Sequence, residues 1–146
     1  MADRNWAEAM DLMPRLLHGL VWLDEGLQAR LRARGLPNVS RAQSMVMIHI
    51  TSGTRRPSEI ARRLGVSRQA IHATIGQMGE MGILQLVPDP ADGRNRLVEL
   101  TPFGEEMRHA AHVAMQDILS ALAERIGNDG ITDLLRILRS DWGPTV

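Results

Sequence analysis

The chain has 146 residues, 44% of them hydrophobic, with 17 acidic and 17 basic side chains and no net charge. That length suits a single domain able to bury its own core, and the apolar fraction excludes wholesale disorder. The absence of cysteine excludes a disulfide framework, a thiolate metal site and a cysteine redox switch.

In chain order, "MADRNWAEAMDLM" lacks the apolar core of a signal peptide. No run approaches the roughly 18 apolar residues of a membrane span. The expectation is a cytoplasmic protein without a membrane partner. Residues 5–34 are helical in pattern, with Leu16, Leu20, Leu23, Leu27 and Leu31 recurring at three or four, and Pro14 starts or kinks this helix. Ser40 with Gln43 three residues on forms a capping box that opens a helix through Ile50. After "TSGT", Pro57 opens the short helix "PSEIARRL", which Gly65 stops.

Ser67 caps the next helix, whose inward stripe is Ile71, Ile75 and Met78, and Gly82 ends it. "ILQLV" and "RLVEL" form a hairpin across the turn-rich "PDPADGRN". Thr101 and Pro102 start a long helix to Ile126. "GNDG" interrupts it, and a last helix through Trp142 follows. The fold class expected is mainly α with a small β-hairpin.

The charge is unevenly spread. Residues 55–96 hold seven arginines against four acids, a net of +3, and the remainder carries −3. Every fixed side-chain cation is a guanidinium, because the chain has no lysine; that group suits phosphate and base edges.

The helices "PSEIARRL" and "RQAIHATIGQM", joined through "GVS", match a helix-turn-helix, with Ile60, Ala61, Leu64 and Val66 turned inward. The second helix then presents Arg68, Gln69, His72, Ala73 and Gln77 outward, as a recognition helix presents its base-reading residues. Arg68 can pair bidentately with guanine, and Gln69 or Gln77 with adenine. Ser67 and the free amides at the helix start can hold a phosphate. The hairpin behaves as a wing, with Arg94 directed at a minor groove, Arg96 at phosphates, and Asp92 capping the turn or orienting Arg94. Arg55, Arg62 and Arg63 supply further phosphate contacts.

"SEIARRLGVSRQAIHATIGQMGEMGIL" followed by "DPADGRNRLVELTPFGEE" resembles the winged helix-turn-helix of MarR-type regulators, in the D-x-x-D-G-R wing and the L-T-x-x-G after it. The resemblance covers nearly the whole chain. It implies a single domain over 1–146, with a DNA-binding core at 53–101 and dimerisation helices at 5–34 and 102–142. It also implies a homodimer on palindromic double-stranded DNA, usually a bacterial repressor released by a small aromatic or anionic effector. This chain departs from the family at Ala73, Gly76 and Gly79, where larger or polar residues are common. Base reading then rests more on Arg68, Gln69 and His72, and the two glycines are expected to admit a neighbouring helix or strand.

Leu134, Leu135, Leu138 and Trp142 form an apolar face suited to the dimer interface. Met10, Met13, Trp22, Met45, Met47 and His49 lie where the resemblance implies a ligand pocket, since methionine makes adaptable walls. Arg15, Arg41 and His49 are the groups able to meet a ligand carboxylate. His109 and His112 stand at i and i+3, and a zinc site there would draw on His18 and His49. The pair lacks a carboxylate partner, so no metal and no cofactor are expected. No base–nucleophile–acid set assembles around His72, and Ser67 is accounted for as a cap, so no enzyme is expected. The alternatives are a winged-helix protein-interaction module and a zinc-responsive regulator.

Overall fold

The structure, a computed structural model, describes residues 6–144; the outermost residues of the expected domain, 1–5 and 145–146, lie outside the described range. Its elements are α1 (Trp6–Ala33), α2 (Arg41–Thr51), α3 (Pro57–Leu64), α4 (Arg68–Glu80), β1 (Leu84–Asp89), β2 (Asp92–Leu100) and α5 (Pro102–Arg139). The fold is mainly α with one antiparallel two-stranded hairpin, as expected.

Local chemistry sets most helix ends. Both halves of the capping box are made at α2: the Gln43 amide donates to Ser40 Oγ at 3.2 Å, and the Ser40 amide to Gln43 Oε1 at 2.8 Å. Pro57 occupies the first turn of α3, and Gly65 closes it in the left-handed region at φ +66°. Ser67 Oγ accepts the Ala70 amide at 3.0 Å to start α4. Thr101 Oγ1 likewise accepts the Gly104 amide at 3.0 Å to start α5.

The core lies between α2, α3, α4, the base of the hairpin and the first turns of α5. Ile60, Met78, Ile83 and Val98 are fully enclosed there, and Val46, Ile71 and Ile75 nearly so. Each such side chain contributes roughly 1.5–3 kcal/mol through burial. The expected inward stripe of α4, Ile71, Ile75 and Met78, is the buried one. A second layer joins α1 to α5 through Leu31, Ala114 and Ile118, and Gly26 brings the helices close enough that a Cβ there would touch Ile118 at 3.4 Å.

Several expectations need correction. Pro14 does not start α1: the helix begins at Trp6 and carries Pro14 inside. The hairpin strands extend into the expected connection, leaving Pro90 and Ala91 between them. Pro88 pairs with Arg96 but Asp89 with Asp92, so the register shifts at the tip. Val66 is 44% exposed and does not fill the turn. The last helix resumes earlier than expected. Gly127, at φ +79°, breaks α5, and the helix then runs to Arg139; Trp142 lies beyond it and donates from Nε1 to the Ile137 carbonyl at 3.0 Å.

The glycines of α4 admit no neighbour. A Cβ on Gly76 would meet nothing within 4 Å, and one on Gly79 only the Leu84 carbonyl at 3.7 Å, an ordinary contact. The close approach occurs at Gly104, where a Cβ would overlap the Ile83 carbonyl oxygen and crowd Leu100. This is the glycine of the L-T-x-x-G motif. It lets α5 start directly against the loop that leaves α4, with the Thr101 amide donating to the same Ile83 carbonyl at 3.0 Å.

Candidate nucleic-acid interface and ligand cavity

The helix-turn-helix is held by its own core, leaving the outer face of α4 unconstrained. Arg68, Gln69, His72, Ala73 and Gln77 are exposed there, and Ser67 is exposed with its hydroxyl engaged as the cap. Among the described residues, Arg68, Arg94, Arg96, Arg125 and Arg139 are the arginines whose side chains have neither a hydrogen bond nor an ion pair. The first three are among those that the sequence assigns to groove and phosphate contacts.

The remaining arginines of the region are engaged within the chain. Arg55 donates to Glu99 at 2.8 Å and to the Val98 carbonyl at 3.4 Å, while the Val98 amide donates back to the Arg55 carbonyl at 2.8 Å. Arg63 pairs with Glu59 at 2.8 Å; Arg62 reaches the same carboxylate only at 3.9 Å and is largely exposed. Arg55 and Arg63 can therefore meet a phosphate only by exchanging a carboxylate for it, whereas Arg62 is nearly unencumbered.

The wing's shape comes from two carboxylates. Asp92 accepts the Arg94 amide at 3.1 Å and the Asn95 side-chain amide at 2.9 Å, which fixes the turn carrying Arg94. Asp89, buried, accepts the Ala91 amide at 2.9 Å and Arg56 at 2.8 Å. The Ala91 hydrogen bond, aided by Arg56, holds the Asp89 carboxyl below the ordinary carboxylate range, against the opposing effect of burial. Sequence reasoning missed Arg56, since nothing near it in the chain marks Asp89 as its partner.

A cavity of about 400 Å³ opens between α1, α2 and α5. Leu20, Leu23 and Leu27 of α1, Met45 and Met47 of α2, and Met107 and Met115 of α5 line it. Of the six residues expected at a pocket, Met45 and Met47 are among the lining. Met10 and Met13 are 79% and 75% exposed, and neither Trp22 nor His49 reaches the cavity. The leucines that recur along α1 in the sequence, Leu20, Leu23 and Leu27, supply that side of the wall. The three groups expected to meet a ligand carboxylate are also placed otherwise. Arg15 is bound to Asp11 at 2.7 Å, a hydrogen bond that raises its guanidinium above the ordinary value. Arg41 pairs with Asp24 at 3.4 Å, and His49 lies off the lining.

Among the described residues, no three of His, Asp or Glu gather as metal ligands, so His18 and His49 do not join His109 and His112. Both members of that pair are exposed on α5. Leu134, Leu135, Leu138 and Trp142 are exposed as well, and do not fold back onto the subunit's core.

Residues 38–95 match the family model described as the MarR family. The chain is 38% identical over 81 residues to the transcriptional activatory protein BadR of Rhodopseudomonas palustris, covering 55% of this chain and 45% of that one. It thus spans less than half of BadR's length. It is 32% identical over 112 residues to an HTH-type transcriptional regulator of Mycobacterium tuberculosis, covering 75% of this chain and 76% of the relative. Among solved structures, mutant MarR from E. coli complexed with operator DNA superposes with a TM-score of 0.68 at 24% identity, over 97% of this chain and 100% of that one. PcaV of Streptomyces coelicolor, in complex with its natural ligand, gives 0.63 at 20% identity, over 95% of each chain. The chain belongs to the MarR family of transcriptional regulators.

Proposed function

We propose that this chain is a sequence-specific DNA-binding regulator, acting in the cytoplasm as a homodimer on a palindromic operator and releasing it when a small effector binds. The observation that carries the reading is the set of unpaired basic and amide side chains on α4 and the wing: Arg68, Gln69, His72, Gln77, Arg94 and Arg96. Arg15, Arg55, Arg56, Arg63 and Arg136 are each paired with an acid, whereas Arg125 and Arg139, outside this region, are not. Arg68, Gln69 and His72 read base edges in the major groove, Arg94 enters the minor groove, and Arg62 and Arg96 position on phosphates. The solved relative bound to operator DNA supports this assignment through its shared fold.

The dimer reading rests on apolar surface. Leu134, Leu135, Ile137 and Leu138 leave a face of α5 uncovered, Trp142 is exposed just past its end, and Leu12 and Leu17 are exposed on α1. A helix face of that composition is buried by a second copy, and a two-fold protein fits a two-fold operator. The terminal helices dimerise, and residues 53–101 bind DNA. Repression is the primary reading. Activation is the second, favoured by the similarity to BadR, a transcriptional activatory protein.

The test is fluorescence anisotropy of the protein with the duplex upstream of its own coding region, across a salt series. Tight, sequence-dependent binding should fall with a log–log slope of about −0.9 per phosphate contact. Weak binding indifferent to sequence at low salt would favour the protein-interaction module instead. A reporter fused to the same duplex separates repression from activation.

A further inference from the structure

The chain crosses twice between the paired helices α1 and α5 and the part that carries α2, α3, α4 and the hairpin. One crossing is the start of α5, fixed by the close packing of Gly104 on Ile83. The other is residues 34–40, which are neither helix nor strand. Away from that second crossing, α1 packs against α5 and faces α2 across the cavity.

Gln28 of α1 spans the second crossing. It is buried, its Oε1 accepts the Val39 amide at 3.1 Å, and its Nε2 donates to Ser44 Oγ at 3.2 Å. Val39 and Ser44 are buried as well, and the Val39 side chain belongs to the core shared with α2, α3 and α4. Next to Ser44, Gln43 completes the capping box of α2, and its Nε2 donates to the sulfur of Met81 at 3.8 Å. Met81 is the C-cap residue of α4. Buried polar side chains thus lead from α1 to the end of the recognition helix.

The other polar ties at this crossing are wetter. Arg41, half-exposed, meets Asp24 at 3.4 Å and Glu25 at 3.8 Å, and Arg32 donates to Asn38 at 2.8 Å on the surface. Such pairs are screened by solvent and tolerate several geometries. A buried amide with both of its groups engaged tolerates few, because any tilt of α1 against α2 would strip the Val39 amide of its acceptor.

We infer that Gln28 is a positioning residue. It sets the angle of the DNA-binding part against α1 and α5, and so the separation of the two recognition helices in the dimer. The half-site spacing that the protein accepts follows from that separation. The inference rests on the reading of the chain as a homodimer on a two-fold operator.

The chain has no cysteine, so Glu80→Cys, at the exposed end of α4, places one spin label on each protomer. Double electron–electron resonance of this labelled protein without DNA reads the distance between the two α4 helices. The distribution should be narrow with Gln28 in place. Gln28→Met conserves volume but supplies neither hydrogen bond, and should broaden the distribution and displace its centre. Ser44→Ala removes one of the two bonds and should give a smaller change of the same kind. Circular dichroism checks folding, and Ser44→Ala decides if Gln28→Met does not fold. On the duplex upstream of the coding region with one base pair inserted between half-sites, the parent should lose about tenfold in affinity and the variant less than about threefold. A merely structural Gln28 would lower the melting temperature and leave the distance distribution unchanged. That result, or equal losses on the altered duplex, overturns the inference and leaves the dimer standing. Absence of dipolar coupling in the parent overturns the dimer reading and the inference together.

Discussion

Arg56 and Asp89 stand 33 residues apart in the chain and are joined by a hydrogen bond of 2.8 Å. The guanidinium belongs to the N-cap residue of α3 and the carboxylate to the last residue of β1. The bond therefore ties the wing to the front of the helix-turn-helix. Asp89 also closes the hairpin tip through the Ala91 amide, so one buried side chain sets both the wing's turn and its attachment.

The Asp89 carboxyl is held below the ordinary carboxylate range. A carboxylate lowered in the folded state stabilises fully above its unfolded value, and loses that contribution as pH falls through its folded value. Denaturant unfolding of Asp89→Asn should consequently show its largest deficit at neutral pH, shrinking toward zero in acid. A deficit of constant size across the pH series would remove the ionised Asp89 from this role.

Gly79→Ala and Gly76→Ala should each stabilise the protein by about 0.5–1 kcal/mol, because both positions are helical and have room for a methyl group. Gly104→Ala should destabilise it by about 1–3 kcal/mol, since the methyl would meet the Ile83 carbonyl backbone. Urea midpoints for the three variants check this. A loss at Gly79 matching that at Gly104 would restore the packing role for the α4 glycines.

Arg94→Ala should weaken operator binding and reduce the salt slope by about 1. Arg136, paired with Asp133 at 3.1 Å on α5, serves as the control, and Arg136→Ala should leave affinity unchanged. Equal losses in anisotropy would sink the wing assignment.

Arg68→Ala should cost about 1–3 kcal/mol on the cognate duplex and much less on scrambled sequence, so that specificity falls along with affinity. Competition between the two duplexes reads this directly. Parallel losses on both would make Arg68 a phosphate contact.

The helix boundaries were legible because their causes lie within four residues. Ser40 with Gln43, Pro57, Gly65, Ser67, Gly82 and Thr101 each act on the turn beside them, and the spacing of Ile71, Ile75 and Met78 gives the buried face of α4 without knowledge of its neighbours. At Pro14 and "GNDG" the local signal for a break is present in the sequence, but its outcome is not set locally. α1 carries its proline, and α5 resumes immediately past Gly127.

Helical spacing pairs Arg63 with Glu59, but only the tertiary structure decided the pairing of Arg55 and Arg56 and left Arg68 free. Arg55, Arg56, Arg63 and Arg68 look alike in sequence. Chain reversal brings Glu99 to the first and Asp89 to the second, Glu59 lies one turn from the third, and no acid meets the fourth. The same holds for the cavity, whose walls come from α1, α2 and α5. Sequence by itself determined the elements, their caps, the inward faces and the family, because these depend on periodicity and neighbouring side chains. The pairing of Arg55 with Glu99 and of Arg56 with Asp89, the cavity and the close packing at Gly104 depend on distances between residues far apart in the chain, and only the packed fold sets those distances.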